Sequence, residues 1–156
     1  MRSDADASID DFARRTRFIT GALAFSVVVY VVVAWIVAPV MTSDAADARR
    51  DQLLAIVFAV LSAGQLVAAR IIHEMLLGRA RHRATPRERL GEYRSAVIVA
   101  FALREGVALY GLVLSFLSGE PRWAIGFGAV ALFSMAAGWP RRSVMEELAA
   151  EVPPIG

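Results

Sequence analysis

The sequence predicts an all-α protein, a four-span transmembrane helical bundle built from two helical hairpins, and three observations support this fold class. First, 57% of the 156 residues are hydrophobic and the mean hydropathy is +0.52, values above those usual for a soluble domain of this length. Second, the apolar residues fall in four segments, three of which are long enough, at about 1.5 Å per residue, to cross a hydrocarbon core of roughly 30 Å. Third, most arginines flank these segments and few lie within them.

The four predicted spans are separated by polar residues and lie at about 18–40, 52–72, 95–117 and 123–139. The first contains the β-branched run SVVVYVVVAWIV, which would suggest a strand in water, but its length favours a helix that satisfies its own backbone in lipid. The fourth is short and is bracketed by Trp123 and Trp139, as is typical of residues at the two membrane interfaces. The predicted organisation is therefore a polar leader, a membrane domain and a tail, at residues 1–17, 18–139 and 140–156.

All 17 basic residues are arginines, and their distribution predicts the orientation of the bundle. The leader, the loop 79–94 and the tail carry 4, 6 and 2 arginines, whereas the opposite side carries only Arg49, Arg50 and Arg122. By the positive-inside rule, both termini and the basic loop are cytoplasmic, in the inner membrane of a bacterial-type cell. We expect this loop to contact anionic lipid headgroups or to dock a soluble partner, through Arg79, Arg81, Arg83, Arg87 and Arg89.

The third span carries two charged residues at its centre, Arg104 and Glu105. A charge at this depth costs at least about 2.5–3.5 kcal/mol on insertion scales, so an ionisable pair there indicates a functional site. On a helical wheel, Glu105 shares its face with bulky apolar residues, so we expect it to point toward lipid, a partner subunit or an apolar groove. Arg104 shares its face with small or slender residues, which favours close packing of that face against another helix: Val97, Ala108, Gly111 and Ser115.

Gln65 is the predicted companion of Glu105. The second and third spans run in opposite directions, so their midpoints meet and Gln65 lies at roughly the depth of the carboxylate. Its amide can donate to that carboxylate or help to coordinate an ion.

Several classes of function lack support in the sequence. There is no cysteine, which excludes disulfides, thiolate metal sites and cysteine nucleophiles. The two histidines, His73 and His82, do not form an opposed intramembrane pair that would ligate haem. The serines of the spans have no histidine base at matching depth, so we expect no enzyme activity and no cofactor apart from a bound H⁺ or Na⁺. A net charge of +2 gives little support to a nucleic-acid partner.

The segment ATPRERL at 84–90, followed by the third span, resembles the polar loop and outer helix of the c subunit, or proteolipid, of rotary ATP synthases. The residues that carry the resemblance are ALREG at 102–106 and YGLV at 110–113, and it covers about residues 84–117. It implies that Glu105 is the carboxylate that carries H⁺ or Na⁺, that Gln65 and Tyr110 line its ion-binding site, and that the loop around Pro86 faces a cytoplasmic partner.

Two functions follow from these observations. In the first, the chain is a proteolipid-like membrane subunit that binds or moves H⁺ or Na⁺ at Glu105. In the alternative, it is a small structural or accessory membrane protein without transport, in which Arg104 and Glu105 form a structural pair. In both cases the partners are membrane lipids and either further copies of the chain or other subunits of a complex, because 156 residues bury little around a central charge.

Overall fold

The computed structural model describes residues 4–40 and 48–150, and this part of the chain is helical apart from short connections. The helices, in chain order, are α1 (Asp4–Val37), α2 (Ala48–Arg81), α3 (Pro86–Ser118), α4 (Arg122–Ala137) and α5 (Arg142–Ala150), with a short 3₁₀ helix at Ala38–Val40. The all-α prediction is therefore confirmed for the described residues. Most of the polar loop predicted between the first two spans, and the last residues of the tail, lie outside them.

Three of the helices are long and apolar enough to cross a membrane, namely Asp10–Val40, Arg49–Arg81 and Pro86–Ser118. The pair Arg122–Ala137 and Arg142–Ala150, which is bent by 41°, meets the same criterion only when taken together. The number of candidate spans is thus three or four. Large apolar side chains on the outside of the bundle agree with a lipid environment, since Phe18 is 78% and Phe133 80% exposed.

The helices extend well beyond the predicted apolar segments. Much of the predicted polar leader belongs to this helical bundle, because α1 begins at Asp4, and Ala13 and Thr16 are buried. Thr16 donates its hydroxyl to the carbonyl of Phe12 at 3.0 Å, a bond within the helix. Hydropathy locates the hydrocarbon core of the bilayer, whereas alanine and arginine are good helix formers on either side of it.

The predicted basic loop 79–94 is largely helical as well, because α2 continues to Arg81 and α3 begins at Pro86. Thr85 caps α3: its hydroxyl accepts the N–H of Glu88 at 3.3 Å, and the Glu88 carboxylate accepts the N–H of Thr85 at 3.4 Å. Proline at the first helical position completes this capping box. The connection between α2 and α3 is therefore only four residues long, 82–85.

Helix α3 is the centre of the bundle and contacts α1, α2, α4 and α5. Its face of small and slender residues packs as predicted, with Val97, Ala108, Gly111 and Ser115 all buried. A Cβ atom on Gly111 would lie 2.6 Å from the Cβ of Phe127 and 2.9 Å from the carbonyl oxygen of Trp123. The hydroxyl of Ser115 accepts the N–H of Ala124 at 2.8 Å. These close contacts hold α4 against α3.

One end of the bundle collects the N-terminal ends of α1 and α3, the C-terminal end of α2, and α5, and we call it the arginine-rich end. Arg142 forms an ion pair with Asp10 at 3.2 Å, and Arg81 forms one with Glu147 at 3.5 Å. Helix α5 closes this end by burying Met145 and Leu148. The first and last described residues thus lie at the same end, with α1 parallel to α3.

Candidate functional site

Glu105 lies at the middle of α3, half-buried, and its carboxylate faces α1. Its Oε1 atom accepts the hydroxyl of Ser26 at 2.5 Å and the hydroxyl of Tyr30 at 2.7 Å. The sequence predicted a side chain directed toward lipid, a partner subunit or an apolar groove, and this is corrected by the structure. The carboxylate is instead covered by another helix of the same chain.

Helix α1 supplies both hydroxyls because Ser26 and Tyr30 are four residues apart, one helical turn, on the same face. They bracket the middle of the first apolar segment. Since α1 and α3 are parallel, they reach the depth of Glu105, itself at the middle of its span. The sequence signal for this pair is SVVVY, two hydroxyl side chains at helical spacing in an otherwise valine-rich run, which by itself does not show which face of α1 meets α3.

The hydroxyl of Ser26 has two acceptors for one proton, since its Oγ also lies 2.7 Å from the carbonyl oxygen of Leu23. When Glu105 is ionised, Ser26 and Tyr30 both donate to Oε1. When Glu105 is protonated, the acid donates to Ser26 Oγ, Ser26 donates to Leu23, and Tyr30 still donates to the carboxyl oxygen. One rotation of the serine hydroxyl therefore satisfies the site with or without the proton.

Arg104 does not pair with Glu105, and the prediction that it is the charge partner is corrected. Adjacent helical residues point about 100° apart, so the two charges face different neighbours. The Arg104 guanidinium lies 5.6 Å from the centroid of the Phe101 ring and packs against Gly138, where a Cβ would come within 2.8 Å of its Cζ. Gly138 follows the last residue of α4, whose terminal carbonyls carry partial negative charge and favour a cation. Within residues 4–40 and 48–150, Arg104 makes no ion pair.

Gln65 lies at the predicted depth, but it packs on the α2 side of α3. The hydrogen bonds of Glu105 are on the α1 side. Its amide packs against Gly106, where a Cβ would be 3.2 Å from the Gln65 Cδ. The Oε1 atom of Gln65 is buried and has no hydrogen-bond partner among the described residues. The structure therefore does not bring the amide and the carboxylate together.

Tyr110, the other residue that the resemblance implied, packs on α2. Its ring stacks on that of Phe58, with centroids 5.5 Å apart and an interplanar angle of 14°. The hydroxyls near Glu105 are those of Ser26 and Tyr30. Tyr110 is thus placed in a ring contact between α2 and α3, away from the carboxylate.

The five arginines predicted to contact headgroups or a partner differ in exposure. Arg89 is only 1% exposed; its Nε donates to the carbonyl of Arg83 at 2.8 Å and its Nη1 to that of Leu148 at 3.4 Å. Arg89 joins the α2–α3 connection to α5 and is not a docking residue, because its guanidinium is used inside the protein. The other four remain at the surface, with Arg81 and Arg83 in ion pairs to Glu147 and Glu92.

A cleft between α2 and α4 contains further polar atoms without partners. It has a volume of about 430 Å³ and is lined mainly by apolar side chains of α2, α3 and α4. Ser62 Oγ and Trp123 Nε1, both on residues that line it, are buried and make no hydrogen bond within the described part of the chain. The α2 side of the bundle is thus less fully hydrogen-bonded than the α1 side.

Among the described residues, no group of three or more histidine, cysteine, aspartate or glutamate side chains is arranged to hold a metal ion. No family model, curated protein or solved structure matches this chain. The site consists of a carboxyl group inside the membrane-length part of the bundle, hydrogen-bonded by the hydroxyls of Ser26 and Tyr30, of which only that of Ser26 has a second acceptor in the described part of the chain.

Proposed function

We propose that this protein is an integral membrane protein that binds an exchangeable proton at Glu105, in the manner of a proteolipid-like subunit. The observation that carries the proposal is the position of Ser26 Oγ, which is within hydrogen-bonding distance of both the Glu105 carboxylate and the Leu23 carbonyl. A group that is fully hydrogen-bonded in only one protonation state resists a change of state, because the other state leaves a polar atom unpaired. Here both states are satisfied by the same residues.

A proton needs fewer ligands from this site than a metal cation does. A hard metal cation needs several oxygen ligands arranged around it. Among the described residues, the oxygens within hydrogen-bonding distance of Oε1 are only the two hydroxyls of Ser26 and Tyr30, too few to surround such a cation. Sodium binding is therefore the less favoured form of the proposal, and the experiment below distinguishes the two ions.

The proposed topology has four spans with both termini cytoplasmic in the inner membrane of a bacterial-type cell. The arginine-rich end is the cytoplasmic one by the positive-inside rule. In this arrangement α4 is the fourth span by itself, and α5 lies at the cytoplasmic surface. The exposed charges of α5 and its ion pair from Glu147 to Arg81 support this position, because these groups are suited to water.

A second candidate is a structural or accessory membrane protein without transport, in which Glu105 fixes α1 against α3. The observation in its favour is that both hydrogen bonds of the carboxylate cross between those helices. Interhelical hydrogen bonds in membranes contribute about 0.6 kcal/mol each, so two of them form a modest but directional link. The assembly proposed for either function is a homo-oligomer or a larger membrane complex.

The experiment that separates these functions detects the protonated acid directly. We expect an infrared carboxylic C=O band that disappears as the pH is raised, and that is missing from Glu105→Gln at every pH. Carbodiimide labelling followed by mass spectrometry should modify Glu105 at the pH values at which the acid band is present. Glu120, a surface carboxylate, is the internal reference in the same sample. Loss of labelling when Na⁺ is added at constant pH would identify Na⁺, and not H⁺, as the ion that binds at Glu105. An acid band that never titrates, or its complete absence, would overturn the proposal and leave the structural role.

A further inference from the structure

A second cleft lies at the arginine-rich end, between α1 and α3, with α5 beside it. It has a volume of about 820 Å³, and three arginines line it together with apolar side chains: Arg15, Arg87 and Arg94, with Phe12, Leu90 and Ala149. We propose that this cleft binds the headgroup phosphate of an anionic phospholipid, with the lipid chains directed along the apolar surfaces of α1 and α3. The inference does not depend on the function proposed for Glu105.

The cleft is formed by one continuous face of α3. Arg87, Leu90, Gly91 and Arg94 are spaced three and four residues apart, so they follow each other along the same side of the helix. Gly91 leaves open space there, since a Cβ atom would meet nothing within 4 Å. The opposite wall is α1, which contributes Phe12 and Arg15 one turn apart.

The charge of the cleft is not balanced by the protein. Asp11 is the one acidic residue among those that line it, and it already forms an ion pair with Arg15 at 2.9 Å. Arg94 is half-buried, yet neither it nor Arg87 makes an ion pair or hydrogen bond within the part of the chain that the structure describes. A partly buried charge without a partner is unfavourable. A phosphate group is well suited to complete such a site, because guanidinium groups bind its oxygens in a bidentate manner.

The position of the cleft favours a lipid over a soluble anion. Arg94 directly precedes the apolar segment that begins at Ser95, and Arg15 lies one turn before the segment that begins at Phe18. Both arginines are therefore at the depth where headgroups meet the hydrocarbon region. The apolar wall made by Phe12 and Leu90 suits the glycerol and upper chain region of a lipid and offers nothing to a fully hydrated ion.

The test measures retention of phosphatidylglycerol and of phosphatidylcholine by native mass spectrometry of the full chain, titrated with each lipid. We expect preferential retention of phosphatidylglycerol, weakened about a hundredfold in Arg87→Gln/Arg94→Gln, because each of the two charge-assisted hydrogen bonds lost is worth about tenfold. The control is Arg122→Gln, an exposed arginine at the start of α4 that does not line the cleft, and it should retain the lipid. Within residues 4–40 and 48–150, neither Arg87 nor Arg94 forms a hydrogen bond, so the double variant should keep its helical circular dichroism.

A second variant tests the cleft by filling it. Gly91→Leu places a side chain in the open space without a change of charge, and we expect it to weaken phosphatidylglycerol retention as well. Equal retention of the two lipids by the unaltered protein, or unchanged retention by both variants, would overturn the proposal. Displacement of phosphatidylglycerol by millimolar inorganic phosphate would also overturn it, because it would identify a site for a soluble anion.

Discussion

Helix α3 has two kinds of neighbour, and the difference between them shows how the bundle is specified. Toward α1 and α4, its polar and small residues are matched: Glu105 is hydrogen-bonded by Ser26 and Tyr30, and Gly111 fits closely against α4. Toward α2, Gln65 Oε1 and Ser62 Oγ are buried without hydrogen-bond partners in the described residues. The register of α1, α3 and α4 is thus set by directional contacts, whereas α2 packs against α3 with these two polar atoms unpaired among the described residues.

The largest effect is expected when a glycine of α3 is changed to alanine, and the same change is compared on the α4 side and on the α2 side. Gly111→Ala should lower the free energy of unfolding by about 1–3 kcal/mol, the usual cost of overpacking, because its Cβ would meet the main chain of Trp123 at 2.9 Å. Gly106→Ala should leave stability unchanged or slightly higher, because its Cβ meets only the movable end of Gln65 and alanine is the better helix former. Unfolding by sodium dodecyl sulfate in mixed micelles measures both. Equal costs would show that α2 is as firmly placed as α4.

Removal of both hydroxyls from the α1 side is expected to have the next largest effect. Ser26→Ala/Tyr30→Phe should lower the free energy of unfolding by about 2 kcal/mol, since Glu105 keeps its position but loses both donors. Tyr110→Phe is the control: it removes a tyrosine hydroxyl but preserves the ring that stacks on Phe58, and should change stability little. The same unfolding assay applies. If Tyr110→Phe were the more damaging variant, the site would lie on the α2 side.

Glu105→Gln should destabilise the protein by only about 1 kcal/mol, because the amide oxygen still accepts from Tyr30 while the amide nitrogen can donate to Ser26. Its infrared spectrum should lack the titrating acid band. Glu120→Gln, which changes a surface carboxylate, is the comparison that keeps the band. A loss of folding in Glu105→Gln would indicate that the negative charge of Glu105 itself holds the helices together, which would favour the structural role.

The smallest effect is expected on the α2 side. Gln65→Leu should leave the free energy of unfolding unchanged or raise it by up to about 1 kcal/mol, because it removes a buried polar atom that has no partner. Gln52→Leu, at an exposed position near the start of α2, controls for the general effect of added apolar surface. A clear loss of stability in Gln65→Leu alone would reveal a polar partner for Gln65 in the assembled protein.

The features that sequence could predict are those set by local pattern. The apolar segments, the helical fold and the packed face around Gly111 follow from length and from the helical period. The depth of Gln65 follows from the antiparallel order of neighbouring spans. These inferences need no knowledge of how helices are arranged side by side.

The partners of Glu105 could not be deduced in that way. Which face of α1 meets α3 depends on the lateral packing of helices that are far apart in sequence, so the valine-rich run gave no direction for Ser26 and Tyr30. The extent of the helices was missed for another reason: Thr85, Pro86 and Glu88 form a capping box inside a segment whose charge suggested a loop. Arg89 is buried because α5 provides a carbonyl for it, a contact that hydropathy does not register.

The four-residue connection between α2 and α3 has a consequence for proteolysis. A protease needs several residues of extended, freely moving chain in its active site, and such segments are usually loop tips. Here Arg83 and Arg89 are joined by a hydrogen bond, and helix begins again at Pro86. We therefore expect the most arginine-rich stretch of the sequence to resist trypsin in the folded protein, and Arg89→Ala to make it susceptible. Resistance of this segment to trypsin would then indicate that the hairpin of α2 and α3 is closed.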